Sequence, residues 1–184
     1  MSIERTAPAI LPVSTAGPSR DTRLEAEVVD LFDQFRDRLL RYLLAFGLAI
    51  PDAEEIIQEV FLSLFRHLQR GKSRANLRAW LFRVAHNQAL KRRQRNRRDP
   101  ESLAADGIAV DPTPNPEDQA LSTQTHRRLL AVVRALPEQD RRCLALRTEG
   151  LRYREIAGVL DMSLGAVSIS IARSLARLTR ATER

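Results

Sequence analysis

Apolar residues recur along the chain at steps of three and four, the spacing that places them on one face of a helix. The first such series comprises Leu24, Val28, Leu31, Phe32, Phe35, Leu39, Tyr42, Leu43 and Phe46. After it, Gly47 is typical of a helix C-cap, and Pro51 is typical of the start of the next element. No stretch alternates between apolar and polar residues as a strand does, so the sequence predicts an all-α fold.

The second predicted helix, from about Asp52 to Leu68, carries two stripes of different chemistry. Its apolar stripe comprises Ala53, Ile56, Ile57, Val60, Phe61, Leu64, Phe65 and Leu68. Asp52 stands at the expected N-cap, and Glu54 and Glu55 suit the positive end of the helix dipole. Beside the apolar stripe lies a second, acidic and polar one, formed by Glu55, Gln58, Glu59 and Leu62.

A polar loop, Gln69–Asn76, leads to a third predicted helix that ends as a basic rod. Asn76 is suited to its N-cap, and its apolar face is formed by Leu77, Leu81, Val84 and Ala85, with Trp80 at the edge. After Leu90 the sequence becomes KRRQRNRR. An acidic docking face so close to a cationic rod predicts a chain that binds a protein and a nucleic acid at once.

A connector separates this first domain from a second helical one. Residues 99–119 contain four prolines and no periodicity, which predicts an extended linker. Beyond it the sequence predicts a helix from about Ala120 to Leu136, a helix that starts at Pro137 and stops at Gly150, a short helix over Tyr153–Leu160, and a last helix capped by Ser163.

The last two predicted helices have the spacing of a helix-turn-helix. Ile156 and Leu160 pack inward from the first of them, and the small side chain of Ala157 allows the second helix to cross closely. Val167 and Ile171 face back to the core. The exposed N-terminal face of the last helix can then enter a major groove, which accepts one helix.

Charge is distributed in blocks along the 184 residues, whose formal net charge is +7. Residues 1–22 carry no net charge, residues 23–98 carry +7, residues 99–120 carry −6 and residues 121–184 carry +6. Two basic blocks joined by an acidic connector predict a polyanionic partner. The first block, rich in Ala, Pro, Ser and Thr, predicts a disordered N-terminal tail.

Several classes of function lack support in the sequence. Cys143 is the single cysteine, so no intrachain disulfide can form, which suits a reducing cytoplasm. The three histidines lack the spacing of zinc ligands, and there is no Gly-rich phosphate loop. We therefore expect no enzyme, no catalytic residue, no metal and no cofactor. No apolar run reaches the roughly 20 residues that span a bilayer, so we expect no membrane insertion.

These motifs together resemble the extracytoplasmic-function (ECF) group of bacterial RNA polymerase sigma factors. The first domain carries the likeness in DAEEIIQEVFLSLF and NLRAWLFRVAHNQALKRRQRNRR, and the second in ALPEQDRRCLALRTEGLRYREIAGVLDMSLGAVSISIARSLARL. With the disordered tail at 1–22 and the acidic linker at 99–120 that composition predicts, the resemblance implies a sigma region 2 domain at 23–98 and a sigma region 4 domain at 121–184. It implies a promoter-specificity subunit that works in the bacterial cytoplasm, at the nucleoid.

The resemblance also implies partners and sites. Core RNA polymerase is expected to bind Asp52, Glu55, Gln58 and Glu59. The minus-ten promoter element is expected to bind as a melted strand, with cationic side chains along its phosphates and a polar pocket for a flipped base. The residues expected to bind it are Arg74, Asn76, Arg83, Asn87, Lys91, Arg92 and Arg95. The duplex minus-thirty-five element is expected at Ser163, Ala166, Ser168, Ser170, Arg173 and Arg177. An anti-sigma factor is the expected regulatory partner.

The second domain departs from the usual family pattern. Ser168, Ile169 and Ser170 stand where basic residues are common, Arg152 where a capping Ser or Thr is common, and Asp161 where Gly is common. These changes predict an intact fold and a different or weaker promoter readout. The alternative function is a conventional helix-turn-helix repressor or activator that binds as a dimer, which leaves the acidic stripe and basic rod of the first domain unexplained.

Overall fold

Helices account for every regular element in the computed structural model, which describes residues 20–96 and 119–183. In chain order they are α1 (Arg20–Ala45), α2 (Ile50–Gln69), α3 (Leu77–Asn96), α4 (Gln119–Arg134), α5 (Glu138–Thr148), α6 (Tyr153–Leu160) and α7 (Leu164–Thr182). This confirms the all-α class. The predicted linker falls almost wholly outside the described residues. Residues 1–19 of the predicted tail also lie outside them, and the last three residues of the tail, 20–22, form the start of α1.

Most helix ends follow the local sequence. Gly47 takes a φ of +95° after α1, which lets the Leu48 N–H donate to the Leu43 carbonyl at 3.2 Å. Ser163 caps α7, since its Oγ accepts from the Ala166 N–H at 3.1 Å. The N-cap prediction for Asp52 is wrong. Because Pro51 fits the first turn, the helix begins at Ile50, and the Asp52 carboxylate is left for contacts with α3.

The first domain packs α1 against α2 and α3 around an apolar core. Phe32 and Phe61 meet edge to face with ring centroids 5.0 Å apart, and Tyr42 meets Phe82 in the same way at 5.6 Å. One polar pair lies within this core, where the Tyr42 hydroxyl and His86 Nδ1 are 2.8 Å apart. Both side chains are buried, so the pair satisfies polar atoms that water cannot reach.

The second domain arranges α6 and α7 as the predicted helix-turn-helix. The two helices are bent by 107° at the turn, where Asp161 adopts a left-handed φ of +53°. Ile156, Val167 and Ile171 are buried beneath the bend, as predicted, while α4 and α5 pack on α7 from behind. Taken singly, no described helix has both the length and the apolar character to cross a membrane; only the bent pair α6–α7 passes that test together.

The two domains pack against each other, an arrangement that the sequence did not predict. Helix α3 contacts α6, and α1 contacts α5. The buried residues of the two domains belong to one cluster, in which Leu43 and Phe82 of the first domain join Leu151 and Ile156 of the second. Side chains of α1 and α3 therefore have two environments, one facing the second domain and one facing solvent.

Candidate protein and nucleic-acid interfaces

The acidic stripe of α2 lies on the surface of the first domain. Glu55, Gln58 and Leu62 are exposed, and Glu59 is half-buried beside them. Spacings of three and four residues place all four side chains on one face. Leu62 leaves 56% of its area open to solvent, so the stripe combines carboxylates with an apolar anchor. Such a surface suits a basic partner with an apolar patch.

Arg92 of α3 holds two of the predicted docking carboxylates in place. Its guanidinium contacts Asp52 at 2.9 Å and Glu55 at 2.6 Å, and only 15% of the side chain is exposed. Asn96 adds a hydrogen bond to Asp52 at 3.3 Å. The hydrogen bond to Glu55 outweighs the effect of burial and raises the pKa of Arg92. Arg92, which the resemblance placed among the DNA-binding residues, is therefore paired with carboxylates of α2.

Four other polar side chains of α3 form an exposed row along the helix. Arg83, Asn87, Lys91 and Arg95 are all exposed and recur every four residues. They follow about 18 Å of helix, since each residue rises 1.5 Å. Cationic side chains in such a row match the repeated phosphates of a nucleic-acid strand.

The loop before α3 is held by contacts to neighbouring helices. Arg74 lies on Glu27 of α1 as a bidentate pair, with Nε–Oε1 at 3.0 Å and Nη2–Oε2 at 3.1 Å. His67 Nε2 lies 3.0 Å from the Ser73 carbonyl and stacks at a tilt against Trp80, with ring centroids 4.8 Å apart. These contacts give the polar loop a defined shape beside the basic face.

Two further contacts complete the loop. Asn76 has a φ of +56°, and its Oδ1 accepts from the Ala79 N–H at 3.4 Å, so it begins α3 as predicted. Glu27 was not among the predicted site residues. It lies 47 positions before its partner Arg74, and nothing in the local pattern of α1 indicates that pairing.

The exposed face of α7 contains fewer of the predicted DNA contacts than expected. Ser163 and Ser168 are exposed, as are Arg173 and Arg177, while Ala166 is half-buried. Ser170 is buried, so its predicted position on the free face is wrong. It lies three residues after Val167, in the stripe of spacing three and four that faces the core, and that spacing is a signal the sequence contained.

The hydroxyl of Ser170 binds a buried carboxylate that the sequence analysis missed. It donates to Asp140 Oδ1 at 2.7 Å, and Arg173 Nη1 approaches Asp140 Oδ2 at 3.5 Å. Asp140 is 2% exposed, and these two partners offset part of the cost of burying its charge, since its Oδ2 accepts no hydrogen bond among the described residues. The serine therefore fixes α7 to α5, and the recognition surface is reduced to the side of α7 that carries Ser168 and Ile169.

Comparison with known proteins identifies both domains. Residues 31–99 match the family model Sigma-70 region 2, and residues 126–178 match Sigma-70, region 4. The chain is 30% identical to the ECF RNA polymerase sigma-E factor of Escherichia coli over 133 residues, which is 67% of this chain and 70% of that protein. It is 32% identical to the probable RNA polymerase sigma factor RfaY of Xanthomonas campestris pv. campestris over 132 residues, 69% of this chain and only 33% of that protein.

Solved structures share the fold. The sigma factor RpoE of Bartonella quintana, crystallised with the anti-sigma factor NepR, matches with a TM-score of 0.62 and 19% identity, over 84% of this chain and 97% of that one. CnrH, solved with the cytosolic domain of CnrY, matches with a TM-score of 0.58 and 19% identity, over 86% of this chain and 89% of that one.

Proposed function

The chain belongs to the extracytoplasmic-function group of the sigma-70 family of RNA polymerase sigma factors, and we propose how its surfaces divide the work of starting transcription. The acidic stripe of α2 binds core polymerase. The basic face of α3 and the loop before it bind the melted strand of the minus-ten element. The exposed side of α7 binds the minus-thirty-five element as duplex.

One observation carries this proposal: an exposed acidic surface and an exposed basic surface lie on two packed helices of one domain. Glu55 and Gln58 of α2 are exposed, and so are Lys91 and Arg95 of α3. A basic protein surface and a nucleic-acid strand can therefore be bound at the same time. A dimeric repressor requires only the helix-turn-helix and leaves this domain without a role.

Location and regulation follow from the same family membership. A sigma factor works in the cytoplasm with its polymerase, and we propose that this chain is associated with the nucleoid. We also propose an anti-sigma factor as a partner, because the related RpoE of Bartonella quintana was crystallised with one.

The direct test is reconstitution with core polymerase. The purified chain should co-elute with core in the absence of DNA and should then produce run-off transcripts from a defined set of genomic promoters. Sequencing the DNA retained by this holoenzyme identifies the promoters. A chain that binds duplex DNA as a dimer but leaves core polymerase unbound would support the repressor alternative.

Arg92 and Arg95 should affect different steps although they lie three residues apart. We expect Arg92→Ala to weaken core binding about tenfold, because Asp52 and Glu55 lose the cation that holds them together. We expect Arg95→Ala to leave core binding unchanged and to reduce the permanganate-reactive open complex, because Arg95 is exposed on the basic face. Core affinity and open-complex yield are measured for both variants.

A pre-melted promoter bubble separates the two roles further. The bubble should restore much of the open-complex yield that Arg95→Ala loses. A saturating concentration of core polymerase should restore the open-complex yield of Arg92→Ala. Arg92→Lys, which keeps the charge, should recover part of the core affinity. Equal core binding by wild type and Arg92→Ala, with a loss of open complex, would return Arg92 to the DNA-binding group.

Ser168 and Arg177 should separate sequence readout from phosphate binding on α7. We expect Ser168→Ala to reduce discrimination between promoter sequences by about tenfold or more, because a base-edge contact is worth roughly 1–3 kcal/mol and each 1.4 kcal/mol is a tenfold change. We expect Arg177→Ala to weaken binding to all sequences alike and to lower the salt slope by about one. Holoenzyme binding to duplex promoter variants at several salt concentrations measures both effects.

Ser170→Ala is the matched control for Ser168→Ala. Its hydroxyl is buried against Asp140, so this variant should lower the free energy of unfolding and leave sequence discrimination unchanged. Altered discrimination in Ser170→Ala, with none in Ser168→Ala, would contradict the placement of the recognition surface.

A further inference from the structure

One arginine of the loop before α3 is held in a single orientation by an acid of α1. Arg74 donates through Nε to Glu27 Oε1 at 3.0 Å and through Nη2 to Glu27 Oε2 at 3.1 Å, the two parallel bonds of a bidentate pair. The two side chains keep 56% and 33% of their areas exposed, and a pair so open to water adds little to stability. Orienting the guanidinium is therefore the main physical effect of Glu27.

The backbone that carries Arg74 is fixed on both sides. His67 Nε2 lies 3.0 Å from the Ser73 carbonyl, and the Lys72 N–H donates to the His67 carbonyl at 3.2 Å. On the other side, the Ala75 N–H donates to Ser73 Oγ at 3.1 Å. The position and direction of the Arg74 side chain are thus set before any ligand binds, which lowers the entropic cost of binding one.

The pairing leaves the outer end of the guanidinium available. An arginine has five N–H donors, and the bonds to Glu27 use those on the Nε side. Nη1 of Arg74 makes no hydrogen bond to any residue that the structure describes. Together with the outer N–H of Nη2 it forms a second fork, which can donate to two adjacent acceptors of a ligand.

Arg74 and Glu27 line a cleft between the first turns of α1 and the end of α2. Its volume is about 340 Å³, at the lower end of the range that holds small ligands. Its other charged side chains are Asp21 and Arg23, so two cations face two carboxylates and the cleft favours a neutral group over a phosphate. Leu68, almost fully buried, adds an apolar surface.

A nucleic-acid base with two adjacent acceptors fits this arrangement. Guanine presents O6 and N7 side by side, and donation from both arms of an arginine to these atoms is the commonest specific contact between a side chain and a base. The matching edges of adenine, thymine and cytosine each present at most one acceptor. An arginine whose fork is held in place therefore distinguishes guanine from the other bases.

We propose that Arg74 reads a guanine of the melted strand and that Glu27 is the positioning residue that holds Arg74 for this contact. The proposal rests on the function proposed above, in which the loop before α3 binds that strand. It gives α1 a part in base recognition. Because Glu27 also neutralises Arg74, the pair raises selectivity for a base and lowers the attraction to phosphates.

Modified bases test the contact without altering the protein. The full chain, alone and with core polymerase, is titrated with a fluorescent thymidine strand that contains one guanine. This strand should bind about tenfold more tightly than the same strand with adenine or cytosine in place of guanine. The analogue 7-deazaguanine, which lacks the N7 acceptor, should bind about threefold more weakly than guanine, because one of two bonds remains. Hypoxanthine, which keeps O6 and N7, should bind like guanine.

Two substitutions separate orientation from charge. Arg74→Lys keeps the cation but lacks the fork, so it should lose the preference for guanine and keep the affinity for a plain thymidine strand. Glu27→Gln should lower the preference about threefold and raise the affinity for the plain strand about twofold, because Arg74 can then follow phosphates. A residue that only stabilised the loop would lower both. Glu25→Gln, the same change at an exposed acid of α1 outside the cleft, should alter neither.

Every result decides for or against the proposal. Equal binding of the three strands by the wild-type chain, or a preference for adenine or cytosine, would overturn the reading of guanine, as would a preference that survives in Arg74→Lys. An unchanged preference in Glu27→Gln would overturn its positioning role. Co-elution with core polymerase is measured separately, so a chain that prefers guanine but does not bind core refutes the proposed function and leaves this contact in place.

Discussion

Holoenzyme assembly should fall at least about 100-fold when Glu55 and Glu59 are both replaced by lysine. Both lie on the α2 stripe, and Glu55 leaves more than half of its side chain exposed. Reversing charge in an electrostatically matched interface places like charges together, which costs several kcal/mol, and each 1.4 kcal/mol is a tenfold change in affinity. Equilibrium binding of labelled chain to core polymerase, at several salt concentrations, measures the effect.

The control for this reversal has the same change in net charge. Asp30→Lys with Glu54→Lys alters two exposed acids of the same domain that lie outside the stripe. It should bind core polymerase with nearly wild-type affinity. Circular dichroism and thermal unfolding of both double variants establish that helicity is kept. If the stripe variant and its control bind equally well, α2 is not the docking surface.

Acidification should remove about 3 kcal/mol of stability through His86 alone. Burial, followed by the nearby positive charge of Arg142, lowers the pKa of His86 to about 4 from an ordinary value near 6.5. The unfolded chain therefore binds this proton at a higher pH than the folded chain does. Above pH 6.5 the neutral His86 does not reduce the free energy of unfolding. As the pH falls from 6.5 towards 4, the unfolded chain gains the proton first, and the free energy of unfolding is lowered by about 3 kcal/mol at pH 4.

Urea unfolding of wild type and His86→Gln between pH 7 and pH 4 checks this expectation. Glutamine can keep a hydrogen bond to the Tyr42 hydroxyl but does not titrate, so the difference between the two profiles isolates the histidine. Parallel profiles for wild type and His86→Gln would show that the His86 proton does not couple to folding.

Local patterns were sufficient to predict most of the helices and their surfaces. The spacing of Ile56, Val60 and Leu64 fixes which side of α2 is buried, and so which side is left for Glu55 and Gln58. Ser163 begins α7 and Gly47 ends α1, and both ends are fixed by hydrogen bonds between residues no more than five positions apart. Such short-range bonds can be predicted from the sequence. Asp52 was misplaced because Pro51 allowed the helix to begin earlier.

The sequence by itself determined the helical class, the helix-turn-helix and the two charged faces of the first domain, because each depends on spacings of a few residues. The tertiary structure decided which charged groups are available. Arg92 is bound to carboxylates 37 and 40 positions earlier, Ser170 to Asp140, and Glu149 to arginines of the other domain. Such pairs depend on how the helices pack. The residues around a side chain in the sequence do not show which distant residue the fold brings next to it.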